Sequence, residues 1–380
     1  MANFYQRIVL EEFKTKVVPN KVLILLGARR VGKTRLIKTY LETHTDAKYL
    51  QLNGEDINDA TLLQERSVAN YKRLLDGTNL LVIDEAQNIP DIGLILKLIV
   101  DSIEGIKVIV TGSSMFDLTN NLGEPLVGRK NTLYLYPLAQ MEFNEFENYK
   151  QTTENLEQRL LFGGYPELEQ YPDWEEKKDY LFEIINAYLF KDILVFEGIK
   201  NSDKIYDLLR MIAFQVGKEV SLQELGNQLQ LSKNTVEKYL DLLTKVFILF
   251  KLEGYSKNLR KEITKSSRWY FYDNGIRNAI INNFNRLDNR TDVGDLWENY
   301  LAAERIKKQQ YRKIRVRNYF WRTYDQQELD WLEEGTDSLA GFEFKWNEKR
   351  KAKIPTAFGK AYPEATFEVI NKGNYLDFIM

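Results

Sequence analysis

The chain has 380 residues, 44% hydrophobic and 28% charged, the balance of a soluble globular protein with room for two or three domains. Its 53 Lys+Arg against 55 Asp+Glu exclude a whole-chain polycation but leave room for local basic patches. With no cysteine and a single histidine, His44, disulfides, thiol nucleophiles, Cys-type zinc sites and a Ser-His-Asp triad are excluded, so the chemistry rests on carboxylates, lysine, hydroxyls and phosphate-binding backbone.

Residues 1–20 carry Glu11 and Glu12 where a signal peptide needs an apolar core. The apolar stretch Ile92–Ile103 is interrupted by Lys97 and Asp101, too polar to span a bilayer. The expectation is a cytoplasmic protein without a membrane partner. Short apolar runs at Lys21–Leu26, Ala47–Leu52, Asn79–Ile83, Lys107–Thr111 and Thr132–Tyr136 read as buried strands. Helical patterns over about 32–43, 57–75 and 89–104 separate them, and this alternation predicts an α/β fold with a parallel sheet covered on both faces.

Gly27-Ala28-Arg29-Arg30-Val31-Gly32-Lys33-Thr34 follows the first strand and opens a helix, the context that a phosphate loop of the form G-x-x-x-x-G-K-[ST] requires. Its backbone amides and the helix amino terminus suit phosphate. Gly27, Arg30, Val31, Gly32, Lys33, Thr34 and Arg35 are therefore the expected nucleotide-binding residues, with Lys33 on the β- and γ-phosphates and Thr34 on Mg²⁺. In Leu80-Leu81-Val82-Ile83-Asp84-Glu85 two carboxylates leave the carboxyl end of a buried strand, where open α/β sheets bind ligands. Asp84 is expected to hold Mg²⁺ and Glu85 to polarise the attacking water. The next strand ends in Gly112-Ser113-Ser114, where either serine can orient that water or simply cap a helix. Arg129, before the fifth strand, reads either as an arginine finger toward a neighbouring subunit's γ-phosphate or as a surface arginine.

Beyond residue 150 the strand signals give way to an aromatic-rich helical pattern broken at Gly163-Gly164-Tyr165-Pro166. The stretch Ser202–Asp273 predicts three short helices and a basic hairpin. Ser221 and Ser232 are candidate amino caps, and Leu222, Leu225, Val236, Leu240 and Leu243 are candidate core. This suggests a helix-turn-helix that offers Lys233, Asn234 and Lys238. A wing would carry Lys257, Arg260, Lys261, Lys265 and Arg268, either touching DNA phosphates or packing against neighbours.

In Gly341-Phe342-Glu343-Phe344-Lys345-Trp346, strand alternation puts the aromatics on one face and Glu343 with Lys345 on the other. Glu328 and Asp330 alternate likewise, and Glu298 lies on a preceding helix beside Trp297, Tyr300 and Leu301. Acids beside a lysine are what metal-assisted phosphodiester cleavage needs, with Asp330 and Glu343 as expected Mg²⁺ ligands and Glu298 and Lys345 as catalytic partners; a solvated charged face explains each piece separately. The basic run Lys307, Lys308, Arg312, Lys313, Arg315 and Arg317 reads as a nucleic-acid contact or as solvated surface.

The series Gly-x-Arg-Arg-Val-Gly-Lys-Thr, Ile-Asp-Glu-Ala-Gln, Thr-Gly-Ser-Ser, Gly-Arg before Tyr136-Pro137-Leu138, and Gly163-Gly164-Tyr165-Pro166 resembles the prokaryotic AAA-type ATPases with a carboxy-terminal domain of unknown function. The order helix Glu, strand Asp, strand Glu-x-Lys resembles the PD-(D/E)-x-K nuclease superfamily. The first resemblance implies an AAA+ P-loop fold with that superfamily's strand order and ATP with Mg²⁺ as the nucleotide. The absence of an Asn-Lys-x-Asp guanine motif agrees. The expected division is an ATPase domain over 1–150, a helical lid or linker over 151–200, a winged-helix-like domain over 201–280 and a restriction-endonuclease-like α/β domain over 281–380. Two functions stay open: an ATPase whose cycle positions a double-stranded-DNA-binding, nuclease-like module, or a nucleotide-gated scaffold with a catalytically inactive nuclease-like fold. A homo-oligomer or a protein partner is compatible with either.

Overall fold

The computed structural model describes residues 5–43, 48–113, 126–186, 202–256, 267–323, 325–350 and 352–380. His44, Ser114 and the wing residues Lys257, Arg260, Lys261 and Lys265 lie outside them. The chain forms two compact units, Phe4–Tyr136 with Lys245–Phe247, and Pro137–Thr244 with Ile248–Met380.

The amino-terminal unit is built on strands β1 (Lys21–Leu26), β2 (Tyr49–Asn53), β3 (Leu80–Asp84), β4 (Lys107–Gly112) and β5 (Lys130–Tyr134), all parallel, in the order β2-β3-β4-β1-β5. Val22, Leu23 and Leu25 of β1 and Leu81, Val82 and Ile83 of β3 are wholly buried, as strands covered on both faces must be. The helix Ile92–Ser102 buries Ile92, Ile95, Leu96, Ile99 and Val100, one stripe at helical spacing. The pattern over 57–75 resolves into two helices, Ile57–Gln64 and Val68–Leu74. Ser67 breaks it, because its hydroxyl accepts the Asn70 N–H at 3.1 Å and starts a new helix. Registry brings Leu26, Asp84 and Gly112 to one edge of the sheet.

In the carboxy-terminal unit, β6 (Glu219–Val220), β7 (Leu249–Gly254), β8 (Ser267–Phe271), β9 (Arg317–Arg322), β10 (Glu328–Glu334), β11 (Leu339–Phe344) and β12 (Thr366–Ile370) form one mixed sheet of seven strands, ordered β12-β11-β10-β9-β7-β8-β6. The parallel β7–β9 pairing fuses the hairpin of the expected winged-helix segment to the strands of the expected nuclease-like segment. A boundary near residue 280 therefore crosses a continuous sheet. The helices Ser202–Phe214, Leu222–Leu229 and Lys233–Lys245 precede the hairpin. Ser221 and Ser232 do cap, accepting the N–H groups of Glu224 and Thr235. Leu225, Leu229, Val236, Leu240 and Leu243 fill the core between them.

The break at Gly163 has a tertiary cause. Gly163 ends the helix Leu156–Phe162 at φ 75°, and a Cβ there would lie 2.0 Å from Asp273 Oδ1. The Gly164 N–H donates to Asp273 Oδ2 at 2.8 Å, and Ile276 N–H to Oδ1 at 3.2 Å. The glycine pair thus makes room for a buried carboxylate that caps the helix Asn274–Ile280. The long helix Val293–Arg312 buries Trp297 and Leu301 completely. Lys307, expected on a basic surface, is 2% exposed and paired with Glu304 at 2.7 Å. The Lys308 ammonium donates to the Asp377 carbonyl at 2.8 Å, so within that run Arg312, Lys313, Arg315 and Arg317 supply the exposed cations.

Candidate functional site

The loop between β1 and the helix Lys33–Glu42 closes tightly: a Cβ on Gly27 would lie 2.1 Å from the Leu135 carbonyl oxygen. Gly32, left-handed at φ 99°, caps the helix without a side-chain bond, and the first turn carries no acid. The positive dipole end of this helix suits an anion. The Lys33 ammonium, buried, donates to the carbonyls of Gly27 at 2.8 Å and Ala28 at 3.0 Å. Val31 is fully buried, whereas Arg30, Thr34 and Arg35 are exposed at the rim. Arg7 braces the loop from outside the motif, donating to the carbonyls of Val31 at 2.6 Å and Tyr136 at 2.7 Å. No local pattern announces Arg7, since its partners are distant in the chain.

Thr34 and Asp84 meet directly, the threonine hydroxyl donating to Asp84 Oδ2 at 2.9 Å. The Thr111 hydroxyl donates to Asp84 Oδ1 and accepts the Glu85 N–H at 3.0 Å. Glu85 itself is left-handed at φ 49°, a conformation that costs a non-glycine residue about 1–2 kcal/mol. The Gly54 N–H donates to the Asp84 carbonyl at 2.8 Å, and a Cβ on Gly54 would lie 2.3 Å from the Glu85 carbonyl oxygen. The turn is thus held from its neighbour β2. Gln87 ties the reactive end together, its amide donating to Glu85 Oε2 at 2.5 Å and to Ser113 Oγ at 3.2 Å. Ser113 is thereby brought beside Glu85; Ser114 is outside the described residues. Thr111, Gln87 and Gly54 are the partners that motif reading passed over, although Thr111 and Gln87 lie within the quoted motifs.

Arg129 is elsewhere. Val22 N–H donates to its carbonyl at 2.8 Å, which sets it at the amino edge of the sheet, roughly 16 Å along β1 from the phosphate loop. Its guanidinium pairs with Asp101 at 2.6 Å and is partly exposed. Within one chain the structure does not bring it to Lys33 or Glu85.

Glu298, Asp330, Glu343 and Lys345 do converge, in the carboxy-terminal unit. A register shift in β10 between Leu329 and Leu332 turns Asp330 inward, where its Oδ2 accepts the Phe344 N–H at 2.8 Å. Lys345 donates to Glu343 Oε1 at 2.5 Å, and Tyr270 O–H to Glu298 Oε1 at 2.7 Å. At the centre lies Arg268, expected on a DNA-facing wing but only 4% exposed. Its guanidinium is 2.9 Å from Glu328, 3.7 Å from Asp330 and 3.8 Å from Glu298, and stacks 4.6 Å from the Phe320 ring centroid. Burial, and then the neighbouring Asp330, push the Glu298 carboxyl up to about 8 and that of Glu343 up to about 7. Burial also raises Asp330. Among the described residues no group of three or more His, Cys, Asp or Glu could hold a metal ion.

Residues 19–144 match the family described as AAA domain, and residues 153–287 and 293–376 match two domains of unknown function, DUF8612 and DUF4143. The chain is 23% identical over 384 residues to the uncharacterized protein MJ1544 of Methanocaldococcus jannaschii, covering 96% of this chain and 84% of that one. It is 26% identical over 330 residues to the uncharacterized protein Rv2008c of Mycobacterium tuberculosis, covering 85% and 70%. Among solved structures, RuvB of Thermotoga maritima matches at 15% identity over 64% of this chain and 86% of that one, with a TM-score of 0.32. AMPPCP-bound DnaA of Aquifex aeolicus matches at 15% over 62% and 84%, with a TM-score of 0.27. The parallel sheet and its phosphate loop make an α/β P-loop fold in the stretch that matches the AAA domain, and a mixed-sheet unit follows. No described helix is long and apolar enough to cross a membrane.

Proposed function

We propose that this chain is a Mg²⁺-dependent ATPase. The observation that carries the reading is the contact of Thr34 with Asp84, beside a helix amino terminus and a Glu85–Gln87–Ser113 chain. Gly27, Arg30, Val31, Gly32, Lys33, Thr34 and Arg35 would surround the triphosphate. Lys33 would exchange its two loop carbonyls for phosphate oxygens, a charge-assisted and therefore stronger pairing. Thr34 and Asp84 fit Mg²⁺, since both offer oxygen and, among the described residues, Asp84 accepts from neutral donors. The ion supplies charge neutralisation on the phosphates. Glu85 would take the proton of the attacking water, with Gln87 and Ser113 holding carboxylate and water in place. Arg129, set apart in its own chain, would act only on the nucleotide of a second copy.

The ATP cycle would reposition the carboxy-terminal unit, with double-stranded DNA as the candidate target of the exposed Lys233, Asn234 and Lys238. Cytoplasmic location belongs to the same reading. The scaffold reading is favoured by one observation, the placement of Arg268 among the carboxylates that a nuclease would need for metal. ATP turnover by the purified full chain, with and without double-stranded DNA, tests the proposal against the Lys33→Ala variant. Turnover that survives Lys33→Ala overturns the site. Turnover that DNA does not change overturns DNA as the target and leaves a protein partner.

A further inference from the structure

The carboxylates Glu298, Asp330 and Glu343 have the residue types of a divalent-metal site, yet their surroundings are already committed. Asp330 gives one oxygen to the Phe344 N–H and turns the other toward the Arg268 guanidinium. Glu298 Oε1 accepts from Tyr270 and is packed so closely that a Cβ on Gly217 would lie 2.6 Å from it. Glu343 Oε1 is taken by Lys345; its Oε2 is buried with no hydrogen-bond partner among the described residues. Arg268 faces Glu298, Glu328 and Asp330 at 2.9–3.8 Å while its plane is stacked on Phe320.

A guanidinium suits such a place. It is planar, permanently charged, weakly hydrated and able to serve several carboxylates at once. A hexacoordinate Mg²⁺ demands near-ideal oxygen geometry at about 2.0–2.1 Å and keeps several waters, which needs open volume that the buried arginine fills. The guanidinium already occupies the position that faces Glu298, Glu328 and Asp330, where a metal would have to sit to be held by all three.

We infer that the Arg268 guanidinium is the resident cation of the Glu298–Glu328–Asp330 cluster and that this cluster takes no divalent metal. Arg268 belongs to β8, Glu328 and Asp330 to β10, and Glu298 to the helix Val293–Arg312. The cluster is then an electrostatic clasp holding the hairpin strand to the rest of the mixed-sheet unit, and metal-dependent phosphodiester cleavage there is excluded. The inference is independent of the ATPase reading.

Manganese binding tests it, read by electron paramagnetic resonance on the full chain without nucleotide. Mn²⁺ titrations are compared for the wild type, the Asp330→Asn/Glu343→Gln double variant and Arg268→Ala. The wild type and the double variant should bind the same number of ions, because any site elsewhere in the chain is common to both. Arg268→Ala should bind about one more, the vacated cluster behaving as an ordinary oxygen site. An additional Mn²⁺ in the wild type that the double variant loses would overturn the inference, and this comparison stands even if Arg268→Ala does not fold. A folded Arg268→Ala chain that gains no ion would equally overturn the assignment of the guanidinium as occupant.

Discussion

The two units each gather carboxylates at a strand end, and they differ in what answers them. Asp84 and Glu85 are met by neutral donors: the hydroxyls of Thr34 and Thr111 and the Glu85 N–H on Asp84, and the Gln87 amide on Glu85. Those bonds orient the oxygens without a counter-charge, which suits the ion and the water proton of the proposed ATPase. Asp330, Glu328 and Glu343 are met by Arg268 and Lys345, whose positive charges offset part of theirs within the fold. Residue type is alike in the two places, although Asp84 closes its strand whereas Glu328 and Asp330 lie at the start of theirs. In the proposed reading, the charge of the partner separates the ATPase site from the clasp.

The largest test of this contrast lies at the phosphate loop. Glu85→Gln should lower ATP turnover at least about 100-fold while fluorescent-nucleotide binding is retained, as expected for loss of a general base. Lys33→Ala should lose binding as well. Wild-type turnover in Glu85→Gln would remove that carboxylate from the chemistry and erase the contrast. Arg268→Ala should cost stability rather than turnover, about 3–5 kcal/mol by chemical denaturation, because it leaves buried carboxylates without their counter-ion. A near-neutral result would mean the cluster is not a clasp.

A third carboxylate sharpens the rule at smaller amplitude. Asp292 is gripped by Arg277 at 2.6 Å and Arg290 at 2.8 Å. Burial alone would raise it, but the Arg290 hydrogen bonds and the Arg277 charge win and hold its carboxyl at about 2. The unfolded chain titrates near the ordinary 3.8, so the pair's contribution is complete above that value and is lost as pH falls through about 2. Asp292→Asn should therefore be about 1–3 kcal/mol less stable than wild type at neutral pH. Thermal melts should show the gap closing between about pH 4 and pH 2. A gap independent of pH would assign the loss to packing instead.

Local pattern was enough for the phosphate loop, the strand before it and the two serine caps, because each depends on neighbours within a few residues. It was also enough to set Glu343 and Lys345 on one strand face, since alternation is a backbone property. The strands at Lys21–Leu26 and Lys107–Gly112 fall where apolar runs predict them. What surrounds each charge was decided only in three dimensions. Lys307 reads as one of six surface cations and is buried against Glu304; Arg268 reads as a wing contact and is buried among acids brought from a helix and another strand. Gly163 reads as a helix breaker, and its need for a bare backbone comes from Asp273, far along the chain. Sequence determines which groups can carry charge and which segments can be helix or strand. Whether a carboxylate meets a hydroxyl or a guanidinium depends on which distant segments share its sheet, and that partner decides its chemistry.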